Sequence, residues 1–282
     1  MKTPTRLAVK YPRTASAKLS LIVRFIAVLS VIGLIGTLYY FVARPYQSTL
    51  GATPTEIERA MPGDDLDPHP DFLATRAITI RDTPEAIWPW LIQMSYNRAG
   101  FYGYDILENI GSERGLRSAN EIIPEFQHFQ VGDEVPISAI HSMVFHAIEP
   151  HQYLIWAGKE DSAPSAIVWA LYPIDDDQTR LVSRVRWSYQ LTGPVSVVMA
   201  LFVNLADHIA VRKILRGIKG RVEGHIEPAW VADVEFVVFV AAFGVFVAAL
   251  VALLVRPLTW TSWLSACGAG IAWLLIWYAH TG

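Results

Sequence analysis

The chain has 282 residues, a formal net charge of −3, 52% hydrophobic residues and only 17% charged ones. Soluble proteins average about 25% charged residues, so this composition excludes an intrinsically disordered chain. A pI near 6.2 excludes a coat for nucleic acid, because no basic excess is available to meet phosphates. The single cysteine, Cys267, excludes an internal disulfide framework and a cysteine-based zinc cluster.

The tail, residues 1–18, is basic (Lys2, Arg6, Lys10, Arg13, Lys18) and carries no acid. Residues 25–43 then form an uncharged run of 19, preceded by apolar residues 19–23 and interrupted only by Arg24. At about 1.5 Å per residue this run reaches about 29 Å, the thickness of a hydrocarbon core, which predicts a first transmembrane helix over 19–43. It exceeds the apolar stretch of a signal peptide, and a cut after Ala43 would put Phe41 where a small residue is needed.

Residues 48–230 form the water-facing domain. Thr53-Pro54-Thr55-Glu56 combines a capping residue, a proline at the first helical position and an acid at the third, and predicts a short helix over 53–61. Residues 62–70, rich in Pro, Gly and Asp, read as a turn-rich linker. Residues 74–81 alternate apolar and polar side chains, the pattern of a half-buried strand. Asp82-Thr83-Pro84-Glu85 opens a helix with a capping box, with Ile87, Trp88, Leu91 and Ile92 on its apolar side and Pro89 inside it.

Further strands are predicted over 134–138, 142–148, 153–158, 167–173 and 179–190. Asp175-Asp176-Asp177-Gln178 makes the last hairpin turn, and Thr179, Leu181, Ser183, Val185 and Trp187 share one strand face. Residues 195–223 predict one long helix, whose very apolar first half is too short to cross a bilayer. This order predicts an α+β domain in which a curved antiparallel sheet wraps one helix. The uncharged runs 236–255 and 258–279, separated by Arg256-Pro257, predict transmembrane helices over 234–255 and 258–279 joined by a tight turn. Trp230, Trp260, Trp263, Trp273, Trp277 and Tyr278 lie near the ends of these runs, where amphipathic rings prefer to sit.

Several stretches, in order, resemble the SRPBCC group, the START/Bet v 1-like helix-grip superfamily with its polyketide cyclase/dehydrase-type members. They are residues 77–94 (AITIRDTPEAIWPWLIQM), Gly100-Phe101-Tyr102-Gly103-Tyr104-Asp105 and Glu108-Asn109. Ser118-Ala119-Asn120, Ile123-Pro124-Glu125-Phe126, Val131-Gly132-Asp133-Glu134-Val135 and the stretch from Arg212 to Lys219 complete the set. The likeness spans residues 50–225 and rests on the ordered set rather than on one motif. It implies a seven-stranded sheet gripping a long helix around an apolar cavity for a lipid, sterol or polyketide. Some relatives are cyclases or dehydratases and many only bind or carry; no universal catalytic residue exists to transfer. Three flanking transmembrane helices depart from the typical soluble member.

The cluster Phe101, Tyr102, Tyr104, Asp105 reads either as a pocket-mouth loop, with rings for apolar contact and phenols for directional hydrogen bonds, or as a structural loop capping the sheet. Asp105 and Glu108 are three apart and share a helix face, so they form either an acid/base pair or a solvated cap. Arg184 and Arg186 lie on the opposite strand face from Leu181, Val185 and Trp187. Pointing into a cavity they would hold an anionic ligand head; pointing outward they would be solvated. His208 is either a proton donor in the cavity or a buried, hydrogen-bonded histidine. Trp88, Trp156 and Trp169 are further aromatic candidates for the ligand-binding wall.

His141, His146 and His151, spaced five and five, fall on alternating strand faces and do not converge as metal ligands. Arg212, Lys213, Arg216, Lys219 and Arg221 read either as contacts to anionic lipid head groups or as a solvated helix face. No cofactor or metal is expected. The expected partners are a hydrophobic small molecule or lipid and the membrane, not nucleic acid.

The function expected is a membrane-anchored binding or carrier module for a lipid- or polyketide-like molecule. The alternatives are a cyclase- or dehydratase-like enzyme using Asp105, Glu108, Tyr104 or His208, and a docking domain for a membrane partner. A multi-pass protein of the cell membrane with a cytoplasmic N-terminus follows from the basic tail; the side of the domain stays open.

Overall fold

The computed structural model describes residues 13–159, 162–189, 194–255 and 259–279. Most of the basic tail and the Arg256-Pro257 turn lie outside the described residues. Arg13–Leu38 (α1) runs on through a π-helical stretch, Tyr39–Ala43, into Arg44–Ser48 (α2), followed by Pro54–Glu58 (α3) and Phe72–Ile80 (β1). Pro84–Gln93 (α4) and Asp105–Glu108 (α5) precede the strands Glu134–Ser138 (β2), His141–Glu149 (β3), Tyr153–Ala157 (β4), Ser165–Asp175 (β5) and Gln178–Trp187 (β6). The helices Pro194–Val222 (α6), Ala229–Val255 (α7) and Trp260–Ala279 (α8) close the chain. Residues up to Val42 and those from Val237 onward form one compact unit, and Ala43–Phe236 forms another.

In the helical unit Val28, Val31 and Ile35 of α1 pack with Phe246 and Leu253 of α7 and with Ala266 and Cys267 of α8. The rings of Phe239, Phe243 and Phe246 surround Trp273 at 5.0–6.0 Å. A side chain at Gly270 would meet Ile35 and Phe246 at 2.7 and 2.8 Å, so this glycine sets the approach of α8. Arg24, the one charge in the first apolar run, donates from Nη1 to the Leu254 carbonyl at 2.9 Å. Leu21, Phe25, Ile26, Leu29, Val237, Val245 and Leu275 turn outward.

Two helices, Ser20–Ser48 and Ala229–Val255, are long and apolar enough to cross a membrane. The expectation of three transmembrane helices is corrected to these two among the described residues.

In the other unit six strands form one antiparallel sheet in the order β1-β6-β5-β4-β3-β2. With the long α6 behind it, this is an α+β arrangement consistent with the helix-grip pattern. Six strands stand where the resemblance implies seven. Between α4 and β2 the backbone takes positive φ at Asn97, Gly100, Tyr102, Gly111 and Gly115, which breaks any extended run into turns around α5. Each predicted strand is present, and α6 covers the span assigned to the long helix.

Strand alternation gives the sheet two buried faces. On the inner face Ala74, Leu154, Trp156, Trp169, Leu181 and Val185 pack under Val211, Ile214, Leu215 and Ile218 of α6. On the outer face Ala77, Ile155, Val168, Ala170 and Val182 are covered by Met61, with Ala52 and Leu66 beside it. The linker expected over 62–70 is therefore a covering layer. The helix leading into it, α3, has the predicted capping box: Glu56 N donates to Thr53 Oγ1 at 3.2 Å and Thr53 N to Glu56 Oε2 at 2.7 Å. The box expected at Thr83 is absent; Pro84 starts α4 without a side-chain cap, and Thr83 N donates to Asp82 Oδ1.

Candidate functional site

The inner face is built in rows by the strand register. One row runs Phe145, Trp156, Ile167, Val185, Ala74; the next runs Leu154, Trp169, Ser183, Arg76. Trp156 and Trp169 meet edge to face at 5.9 Å, and Phe101 and Phe145 each lie 6.5 Å from Trp156. Both tryptophans are 1% exposed, yet neither indole N–H has an acceptor among the described residues, and neither does the Ser183 hydroxyl have a partner. Trp88 of α4 is buried in the same core, edge-on to His151 at 5.9 Å. The interior is greasy and keeps these three polar atoms without polar partners among the described residues.

The loop from Phe101 to Ser118 is held by its own hydrogen bonds. The Tyr102 hydroxyl donates to the Trp90 carbonyl (3.1 Å) and accepts from Gln93 Nε2 (2.9 Å), while Tyr102 N donates to Ser118 Oγ. Burial pushes its phenol well above the ordinary value. Tyr104 donates to Glu235 Oε2 at 3.2 Å and leans on Phe236. Burial, with the Glu235 charge beside it, raises that phenol too.

Asp105 Oδ1 accepts from Ser118 N (3.2 Å), Ser118 Oγ (2.6 Å) and Asn109 Nδ2 (3.3 Å), which makes it the clamp of the loop. Glu108 Oε2 accepts from Gly103 N at 3.1 Å; Oε1 is closed off from solvent without a partner. Burial and the Asp105 charge push the Glu108 carboxyl up to about 8 against the backbone N–H groups of Tyr104 and Gly103. Gly103 is required here because a Cβ would run into the Glu108 carboxylate.

His208 is fully buried in α6. Burial and the charges of Arg76 and Arg212 bring it down to about 3, against a hydrogen bond with Gln47 that raises it. The carboxylates of Asp105 and Glu108 and the Tyr104 phenol share no hydrogen bond with one another among the described residues.

Arg184 and Arg186 are corrected as ligand contacts. They lie on the outer face, beneath the 53–67 layer, away from the tryptophans. Arg184 donates to Thr75 Oγ1, to the carbonyls of Glu56, Ile57 and Arg59, and to Asp64 Oδ2 at 2.7–3.0 Å. Arg186 donates to Asp64 Oδ1 and the Asp67 carbonyl. Nor are they solvated: the covering layer supplies the acceptors that water would.

Sequence reasoning missed Ser183 and Arg76 as site residues. Arg76 sits on the inner face and reaches Asp207 of α6 at 2.8 Å and the Gln47 carbonyl at 2.9 Å. Their only local signal was the alternation of β1 and β6. Among the described residues no group of three His, Cys, Asp or Glu side chains could hold a metal ion.

No protein-family model matches the chain, and no curated protein does. Solved structures similar to it include a polyketide-cyclase-like protein from Corynebacterium glutamicum, at 12% identity over 54% of this chain and 91% of that one, TM-score 0.34. An aromatase/cyclase from Streptomyces sp. R1128 matches at 12% over 56% and 97%, TM-score 0.33. A START superfamily protein from Mycobacterium smegmatis matches at 12% over 54% and 97%, TM-score 0.32. At TM-scores of 0.32–0.34 these similarities decide nothing about the site, which must be argued from its own residues.

Proposed function

We propose that this protein is a membrane-anchored binding or carrier module for a hydrophobic small molecule of lipid or polyketide type. In this reading the inner face of the sheet holds the ligand: Phe101, Phe145 and Trp88 take its apolar body, and the N–H groups of Trp156 and Trp169 take an acceptor oxygen. The supporting observation is that pair of buried donors without acceptors. Burying such a group unpaired costs roughly 1–3 kcal/mol, and a ligand carbonyl, ester or ether oxygen would remove that cost. The outward apolar side chains of the helical unit need lipid cover, which is the argument for anchoring. Tethering then raises the local concentration of any molecule that partitions into the bilayer.

Native mass spectrometry of the full chain, extracted in mild detergent, tests this reading. An adduct of small-molecule mass, removable by organic solvent, is expected. Its occupancy should fall about tenfold in the double variant Trp156→Phe/Trp169→Phe, which keeps the rings and removes the donors. A wild-type protein free of any adduct, or equal occupancy in the variant, overturns the reading.

A further inference from the structure

A concavity lies away from the tryptophans, within the same unit. It is a cleft of about 520 Å³ between the second half of α6, the loop carrying Tyr102 and Ser118, and the segment from His225 to Ala232. Gly217 and Gly220 shape it: a Cβ at the first would strike the Tyr102 carbonyl, and at the second would lie 2.8 Å from the His225 carbonyl. Four cations line the cleft (Arg117, Lys213, Arg216 and Arg221) against two carboxylates, Asp105 and Glu227.

Arg117 and Lys213 are matched by carboxylates. Arg117 grips Asp233 with both terminal nitrogens (3.1 and 2.8 Å), and Lys213 reaches Glu227 and Glu235 at 2.6 and 2.8 Å. Arg221 is different. Its hydrogen bonds go to the Ala119 carbonyl (2.8 Å), the Gly217 carbonyl (3.1 Å) and Asn120 Oδ1 (2.9 Å), all neutral acceptors. It makes no ion pair among the described residues, and its other cover is the Tyr102 ring, 4.4 Å from the guanidinium carbon. A guanidinium carries five N–H groups, so two remain on its terminal nitrogens. Half-buried charges are normally paired, and the C-terminal end of α6 offers only a partial negative charge. Arg216, exposed one turn earlier, adds a second positive charge to the wall.

We propose that this cleft binds a phosphate group, with Arg221 as the anchoring donor and Arg216 as the second cation. A planar guanidinium with two free N–H groups matches two phosphate oxygens. The rim is apolar at Ile226, Pro228 and Ala229, which suits a phosphate attached to a greasy chain. Ala229 also opens the helix that continues into the uncharged run 236–255. A lipid head group and free phosphate share this chemistry, and the two probes below separate them. The site is independent of the inner-face ligand proposed above.

The test is calorimetric titration of the full chain in phosphate-free zwitterionic detergent. The two probes are inorganic phosphate and dihexanoyl phosphatidic acid below its micelle concentration. Saturable binding of at least one probe is expected; preference for the lipid identifies a head-group site, and equal affinity identifies a free-anion site. Arg221→Gln should weaken binding by about tenfold or more, and Arg216→Gln by a smaller factor. Arg216 is a surface residue, so its variant keeps the test valid if Arg221→Gln fails to fold. Failure of both probes to saturate, or wild-type affinity in every variant that folds, overturns the proposal.

Discussion

On the outer face of the sheet all five N–H groups of Arg184 have acceptors, whereas on the inner face two tryptophan N–H groups have none. Both regions are buried, and both sit on the same sheet. The difference lies in what covers them. The segment 53–67, the short helix α3 followed by turns, lies over the outer face and supplies carboxylates and the carbonyls left free at the helix end. A helix lies over the inner face, and its own carbonyls are used within it, so it can offer a strand only side chains. A face covered by a helix end and turns can therefore satisfy arginines, while a face covered by the middle of an apolar helix leaves polar atoms for something else to satisfy.

The sharpest way to break this contrast is to remove one element from each face. Arg184→Met strands three backbone carbonyls on the outer face and leaves Asp64 to Arg186 and Met61 N, and should destabilise the fold by about 3–5 kcal/mol in urea unfolding. A loss below about 1 kcal/mol would show that Met61 and Leu66 hold the layer without it. Trp169→Ala should cost a similar amount, about 3–5 kcal/mol, through the cavity it leaves. Trp169→Phe should cost clearly less, because the N–H it deletes bonds to nothing in the protein. If the two substitutions cost the same, the indole N–H has a partner that matters.

A smaller effect is expected where α6 meets the loop that closes the inner face. Gly217→Ala puts a methyl group against the Tyr102 carbonyl and should cost about 1–3 kcal/mol, read as a lower thermal midpoint. A further effect is pH-dependent. Glu108 is raised from 4.5 to about 8 in the folded protein, so the unfolded chain gives up this proton first. Its contribution to stability is fully present below about pH 4.5 and is lost as pH rises through about 8. Glu108→Gln should flatten that decline in urea midpoints between about pH 5 and pH 8.5, and an unchanged slope would place the carboxyl in water. His208 works in the opposite sense: lowered to about 3, its contribution is present above about pH 6.5 and is lost on acidification.

Much of the domain is legible in the order and spacing of its residues. The period-2 alternation of 179–187 places Leu181, Ser183 and Val185 on one face, and the other strands fall within about two residues of their predicted ends, because side-chain period and burial are coupled locally. The capping box at Thr53 is equally local, and it is present. The same pattern at Thr83 is not enough, since a Thr hydroxyl with a free rotamer need not turn toward the helix. The site is less legible. Alternation places Arg184 and Arg186 opposite Leu181 and Val185, but nothing near them reveals a covering layer from a segment 120 residues earlier, where Asp64 sits. Asp105 and Glu108 look like a pair, yet Ser118, thirteen residues on, takes Asp105 for the loop.

From the sequence alone come the apolar runs, the strand and helix periods, and the fold class they compose, because each depends on the spacing of residues along a short stretch. Which polar atoms end up satisfied is decided only in three dimensions. Hydrogen-bond partners such as Arg184 and Asp64, or Arg221 and Ala119, lie far apart along the chain, and only folding determines which acceptor lies within 3 Å of which donor. The two tryptophan donors without acceptors and the arginine without a carboxylate are products of that same packing.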